Sequence, residues 1–297
     1  MAQASAIQTY QSTTVHEDLT DILINVSPTD TPFLSGFGRG PAAQNTIHEW
    51  NSDELAAPAT NKQIQGAEFS FTKRTTPTRL NNRTQIFSTP VEVSDTMRAV
   101  NPAGYKDEFA YQMSKAMKEH ARDIEIALVT GTGHSGDSGT VAELKGVLAF
   151  ITDNVSTGAT GSGGEVKLVE AFQSIWDDTG MEGSYTAYMP GNVKRQVSAF
   201  TTGATKYVET EDKRLTGSVE VYESDFGIVK LRLHRYMPAG TIAILGDEYH
   251  KTSWLRPTHK VDVAKTGDAS RGVVISELTY EARADKANAK VVSMGLS

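Results

Sequence analysis

The sequence predicts an α+β fold, and three features point to it. Apolar and polar residues alternate in strand fashion between residues 45 and 94, one long amphipathic helix covers about 102–130, and helix and strand patterns alternate from 165 to 258. A chain of 297 residues allows one large domain or two smaller ones. With 38% hydrophobic and 22% charged residues it has a globular composition, neither membrane-like nor disordered.

The same composition excludes several function classes. No apolar run approaches the roughly 18 residues that cross a bilayer, and MAQASAIQTY lacks the basic and apolar regions of a secretion signal, so no membrane partner and a cytoplasmic site of synthesis are expected. Cysteine is absent, which removes disulfides and thiolate metal sites. A net charge of −7 argues against nucleic acid as the main partner, because phosphate binding is driven by lysine and arginine. An acidic wall close to DNA remains compatible with it.

Residues 1–44 hold two turn-rich clusters, SPTDTPF and GFGRGPAA, around a short apolar patch from Leu19 to Val26. They cannot form a core alone, so this arm is expected to lie either on a neighbouring chain or on its own domain. From Asn45 to Ser94 the pattern reads as a long β-arm. Ile47 and Trp50 form one side, Ala67, Phe69 and Phe71 alternate with polar residues, and Phe87, Val91 and Val93 form a third run in which Pro90 restricts the strand to an edge. Between the second and third runs, TKRTTPTRLNNR brings Lys73, Arg74, Arg79 and Arg83 together without an acidic residue. A basic tip on a thin ribbon suits docking on acidic protein surface, while a solvated loop is the alternative. The candidate inter-subunit contacts are therefore Lys73, Arg74, Arg79, Arg83, Trp50, Phe69 and Phe71.

Asn101-Pro102 resembles a helix start and Gly131 a helix end. Between them Tyr105, Phe109, Met113, Ala116, His120, Ile124 and Leu128 recur at steps of three and four, giving one packed face on a rod of roughly 43 Å. GTGHSGDSGT and GATGSGG read as flexible breaks flanking ELKGVLAFI, a short apolar turn and strand. Beyond them come the helix EVKLVEAFQSIW, with Leu168, Val169, Phe172, Ile175 and Trp176 on its apolar side, a strand at 185–189 and a helix around 192–200. Strands follow at 219–222, 228–233, 241–245, 273–280 and 289–293.

Catalytic and cofactor motifs are weak. Gly131-x-Gly133-x-x-Gly136 matches the dinucleotide fingerprint as a string, but a helix precedes it where a strand is required, and Asp137 would repel phosphate. A nucleotide-binding enzyme is thus the least favoured reading. The seven histidines show no metal-ligand spacing, and His120 on the apolar helix face suits a packed neutral side chain. No G-x-S-x-G elbow occurs, and Asp177-Asp178 reads as a helix end. No catalytic residue, cofactor or metal is expected.

Several phrases, in order, carry a resemblance over nearly the whole chain: SPTDTPFLSGFGRG, HEWNSDELAAPATN, QGAEF, RLNNRTQIFSTPVEVSDTM, GYKDEFAYQMSKAMKEHARDIEIALVTG and ELKGVLAFI, then YESDFGIVKLRLHRYMP, WLRPTHKVDVAKTGD and SELTYEARADKANAKV. In this order they resemble the tailed-bacteriophage major capsid protein family with the Hong Kong ninety-seven capsid fold. The resemblance implies an N-terminal arm (1–44), an extended β loop (45–94), a peripheral domain with a spine helix (95–164), an axial α/β domain (165–258), and a return to the peripheral sheet (259–297). It implies a non-enzymatic subunit whose partner is itself in pentamers and hexamers, with portal and decoration proteins as further partners and packaged double-stranded DNA held only by weak, non-specific proximity. Some relatives of the fold link subunits through a loop lysine, but neither Lys62 nor Lys73 lies in such a motif. Only residues 1–44 precede the loop, so no cleavable scaffolding domain is expected. A cellular nanocompartment shell of the encapsulin kind is the nearest alternative.

Overall fold

The computed structural model describes residues 30–68, 71–100, 107–137, 139–158, 163–180, 183–199, 220–265 and 267–294. In chain order the elements begin with α1 (Pro32–Gly36), β1 (Gly38–Arg39), β2 (Ile47–Ser52), β3 (Thr78–Arg83), β4 (Gln85–Ser94), α2 (Asp95–Ala99) and α3 (Glu108–Thr130). Next come β5 (Thr132–His134), β6 (Glu143–Lys145), α4 (Val147–Phe150), β7 (Val155–Thr157), α5 (Gly163–Thr179), β8 (Tyr185–Met189) and α6 (Gly191–Ser198). The last are β9 (Val221–Ser224), β10 (Gly227–Leu233), β11 (Ile242–Gly246), β12 (His250–Val263), β13 (Ala269–Ala282) and β14 (Ala289–Val292).

The strands build a four-stranded sheet in the order β1-β12-β13-β4, a six-stranded sheet in the order β7-β14-β11-β8-β10-β9, and two separate two-stranded ribbons, β2-β3 and β5-β6. The centre of the six-stranded sheet is covered on both faces, so every residue of β8 and β11 is buried, while the outer strands β7, β9 and β10 keep exposed positions. Ala187, Met189, Ile242 and Ile244 point into a core closed by Leu168, Phe172 and Ile175 of α5 and Val193 of α6. Tyr188, Ala243 and Leu245 point the other way, into a second core with Ile124 and Leu128 of α3, Val147 of α4 and Leu278 and Tyr280 of β13. Each buried Val, Leu, Ile, Met or Phe side chain among them contributes roughly 1.5–3 kcal/mol by leaving water.

Helix α3 starts at Glu108, later than the sequence suggested, because the Asp107 carboxylate accepts the Phe109 N–H at 3.0 Å and caps it there. The Asn101-Pro102 start and Tyr105 lie outside the described residues. From Met113 onward the expected face holds: Met113, Ala116, His120, Ile124 and Leu128 are all buried. Gly131 ends the helix as read. Trp176 departs from its expected burial and is 48% exposed at the rim of α5, against Phe226.

Other expectations need correction. Ile47 and Trp50 lie on opposite faces of β2, since three residues apart in a strand reverses the side, and Trp50 shares its face with His48. Residues 67, 68, 71 and 72 form no strand, and Phe69 lies outside the described residues. The Gly131–Gly136 stretch is an ordered hairpin rather than a flexible connector, with Thr132 opposite Lys145 and His134 opposite Glu143. Glycine serves it by turning with positive φ at Gly133 and Gly136.

The arm residues from 30 onward pack on their own chain. Phe33 is fully buried between Phe37, Tyr188 and His234. Glu125 of α3 caps α1, its two oxygens accepting the Phe33 and Leu34 amides at 2.8 Å each, while His234 Nε2 donates to Oε1 at 2.7 Å. Residues 1–29 lie outside the described residues.

Strand β4 belongs to the four-stranded sheet, where it forms an edge through ten paired positions with β13. The Asp95 N–H bonds Asp268 O at 3.2 Å, so the alternation directs Val93, Val91 and Thr89 backbones to β13 and those of Glu92 and Pro90 to the open side. The missing N–H of Pro90 therefore costs no ladder bond, as its reading as an edge residue required. Residue 258 falls inside the single strand β12, and β14 joins the six-stranded sheet beside β7.

Candidate self-association surface

The β2–β3 ribbon has a fastened root and an unfastened tip. At the root, Asn82 is 4% exposed and its side chain makes four hydrogen bonds. Its Nδ2 donates to Lys145 O at 2.9 Å and Tyr280 O at 2.7 Å, and its Oδ1 accepts the Lys145 and Arg83 amides at 2.8 Å each. The Trp50 indole donates to Ala282 O at 2.8 Å, and His48 lies 3.4 Å from Glu281, which also accepts Arg283 Nε at 2.7 Å. Lys286 pairs with Glu54 at 2.7 Å, and that carboxylate raises the ammonium pKa.

Beyond Glu54 the chain leaves the body. Residues 53–68 and 71–79 are all exposed, with Leu55 at 99%, Ile64 at 84% and Phe71 at 96%. Full burial of such side chains is worth roughly 1.5–3 kcal/mol each, so the tip has a strong drive to find a surface.

The sequence candidates separate by position. Lys73, Arg74 and Phe71 lie together on the exposed tip. Arg79 and Arg83 belong to β3 instead: Arg79 meets Glu49 across the ribbon at 3.2 Å, and Arg83 is half-buried opposite Ile47. Trp50 is committed to its own chain. Leu55, Ile64 and Asn82 were not singled out from sequence. An isolated apolar residue in a polar run carries no periodic signal, and one asparagine in the basic run TKRTTPTRLNNR gives no sign that it will be buried.

Among the described residues no cluster of histidine and carboxylate side chains is placed to hold a metal ion. His120 is buried with its ring nitrogens at 3.0 Å from Thr89 Oγ1 and 2.7 Å from Ser276 Oγ, and burial lowers its pKa. The hairpin amides that would have to face a phosphate are engaged: Gly136 N–H donates to His134 Nδ1 at 3.1 Å, and Gly139 and Thr140 donate to the Asp137 carboxylate, each at 3.1 Å. Among the described residues no helix is long and apolar enough to cross a membrane.

This architecture, two sheets braced by one long helix with a projecting ribbon, is that of viral shell subunits. The capsid of a native GTA particle superposes with a TM-score of 0.69 at 13% identity, covering 98% of this chain and 99% of that one. The Cyanophage A-1(L) capsid gives 0.66 at 11% identity, covering 97% and 98%. At these identities the likeness shows the fold, the Hong Kong ninety-seven type. Residues 4–295 match the family model described as SU10 major capsid protein, and the chain belongs to that family. The major capsid protein of Escherichia phage Phieco32 is 36% identical over 107 residues, which is 36% of this chain and 30% of that curated relative.

Proposed function

We propose that this chain is the shell subunit of a tailed-phage virion, assembling in the host cytoplasm into pentamers and hexamers that close around double-stranded DNA. The observation that carries the reading is the ribbon tip, whose Leu55, Ile64 and Phe71 are exposed while its root is bonded into the body. A surface that cannot be satisfied within one chain, on a rigid mount, suits head-to-tail contacts that close into rings. Each contact can be weak, because every subunit touches several neighbours and effective concentration holds the shell together.

In this reading α3 with the four-stranded sheet forms the peripheral domain, and the six-stranded sheet with α5 and α6 forms the axial domain. The subunit works by binding rather than catalysis. Portal and decoration proteins are further partners, and the net charge of −7 suits a wall that leaves DNA unattached. Family membership favours a virion shell over a cellular nanocompartment. Replacing residues 56–76 with a short Gly-Ser linker tests the reading. The truncated chain should keep its thermal unfolding transition yet sediment as monomers or small rings, and closed particles from it would refute the role of the tip.

A further inference from the structure

An open groove of about 430 Å3 runs between the free edge of β4 and one face of α3. Glu108, Gln112 and Glu119 form its helical wall, the two carboxylates standing on one stripe of the helix roughly three turns, or about 16 Å, apart. Among the described residues no cationic side chain lines it. Glu119 has a loose surface pair with Lys115 at 3.7 Å, which holds it only weakly. Glu108 is 8% exposed, its Oε1 accepts Gln112 Nε2 at 2.6 Å, and its Oε2 is buried without a hydrogen-bond partner. A buried carboxylate oxygen left in this way is costly, and a donor arriving through the groove would offset that cost.

The opposite wall adds further acceptors. The alternation that turns the Val91 and Val93 backbones toward β13 turns those of Pro90 and Glu92 into the groove. Proline brings a carbonyl without an N–H, so this edge presents more acceptors than donors. Between the polar points, Met97 and Ala116 supply apolar surface. The complement of such a groove is a molecule with positively charged N–H donors set at intervals along an apolar chain. A bare metal ion does not fit, because among the described residues no carboxylates come together to hold one. We infer that the groove binds a linear polyamine, with one terminal ammonium donating to Glu108 Oε2 and the other charged end directed toward Glu119. The Pro90 and Glu92 carbonyls accept from the remaining N–H groups, and the methylenes lie on Met97 and Ala116. A compact ammonium with three rotatable donors suits a carboxylate that has one oxygen taken and one open. The site lies within one chain and goes beyond the shell reading: it adds a small-molecule ligand to the subunit and does not depend on assembly.

Calorimetric titration of the full chain with spermidine at physiological salt tests the site, with saturable binding at one site per chain as the expected result. A matched pair of dications separates hydrogen bonding from plain charge. Diaminohexane has N–H donors at both ends, and hexamethonium has the same chain and charge but none, so hexamethonium should bind at least about tenfold more weakly. Glu108→Gln should weaken spermidine about tenfold with an unchanged unfolding transition, whereas Glu223→Gln, on the exposed face of β9, should leave binding as it was. Should Glu108→Gln fail to fold, hydrogen exchange of the unaltered chain gives a second readout: spermidine should slow exchange around Glu92 and the first turns of α3 and leave β9 unaffected. Equal binding of the two dications, an unchanged affinity in a folded Glu108→Gln chain, or exchange slowed nowhere near Glu92 and Glu108 would each overturn the site.

Discussion

Asn82 on β3 and Lys145 on β6 hold each other through two hydrogen bonds made by one side chain, Nδ2 to Lys145 O at 2.9 Å and Oδ1 from Lys145 N at 2.8 Å. With Tyr280 O as a third partner, this one amide joins the ribbon, the glycine-rich hairpin and the main sheet. The ribbon therefore projects from a defined root.

Asn82→Ala leaves the Lys145 amide and two carbonyls without their partner in a buried place. We expect a loss of about 3 kcal/mol, since each orphaned buried group costs roughly 1–3 kcal/mol and water can reach some of them. Denaturant unfolding measures it, and hydrogen exchange should quicken in β2 and β3 before the rest of the molecule.

Glu125 gathers the arm, the spine helix and the loop after β10 at one carboxylate, fully buried with His234. His234 Nδ1 accepts the Tyr236 N–H at 3.2 Å, which fixes Nε2 as the proton carrier toward Glu125. In Glu125→Gln the amide NH2 must face an N–H or the ring N–H, so we expect a loss of about 3 kcal/mol. Faster exchange of the Phe33 and Leu34 amides would report the loosened α1.

His250 sets an acid limit. Fully buried, it accepts from the Tyr280 hydroxyl at Nδ1 and donates from Nε2 to Asn288 Oδ1 at 2.8 Å. Burial lowers its pKa from 6.5 to about 4, with the Asn288 bond only partly opposing this. A depressed histidine pKa means that the unfolded chain takes up the proton first. Its stabilising effect is complete above pH 6.5, is lost as pH falls toward 4, and amounts to about 3 kcal/mol across that window. His120, lowered by burial, adds in the same direction. Unfolding midpoints measured over this range should fall, and His250→Gln should flatten the slope while lowering stability at neutral pH.

Gly146 sits where α3 ends against β6. A Cβ there would lie 2.8 Å from Ala127 O and 2.9 Å from Leu128 O, both backbone atoms that cannot rotate away. Gly146→Ala should cost more than about 2 kcal/mol through forced backbone shifts, read as a lower melting temperature and a loss of soluble chain.

Much of the fold was legible because the signals were periodic. The buried face of α3 from Met113 to Leu128, strand β8 and the edge status of Pro90 all follow from local pattern. Strand β12 was missed because HKTSWLRPTHKVDV lacks alternation. It carries register shifts between Trp254 and Arg256 and between Arg256 and His259, the second of which contains Pro257, so even in the sheet the pleat is interrupted. The site was legible in part. Charge marked Lys73 and Arg74, but the Arg79–Glu49 pair depends on cross-strand register, and Trp50 was drawn away by the carbonyl of Ala282, distant in sequence.

The central claim is that the ribbon tip finds its burial on identical copies of this chain. Electron microscopy of the purified protein at physiological salt tests it most directly. Closed, uniform particles with each ribbon tip seated on an adjacent subunit are the expected result, and a monodisperse monomer whose tip is folded onto its own body would contradict it.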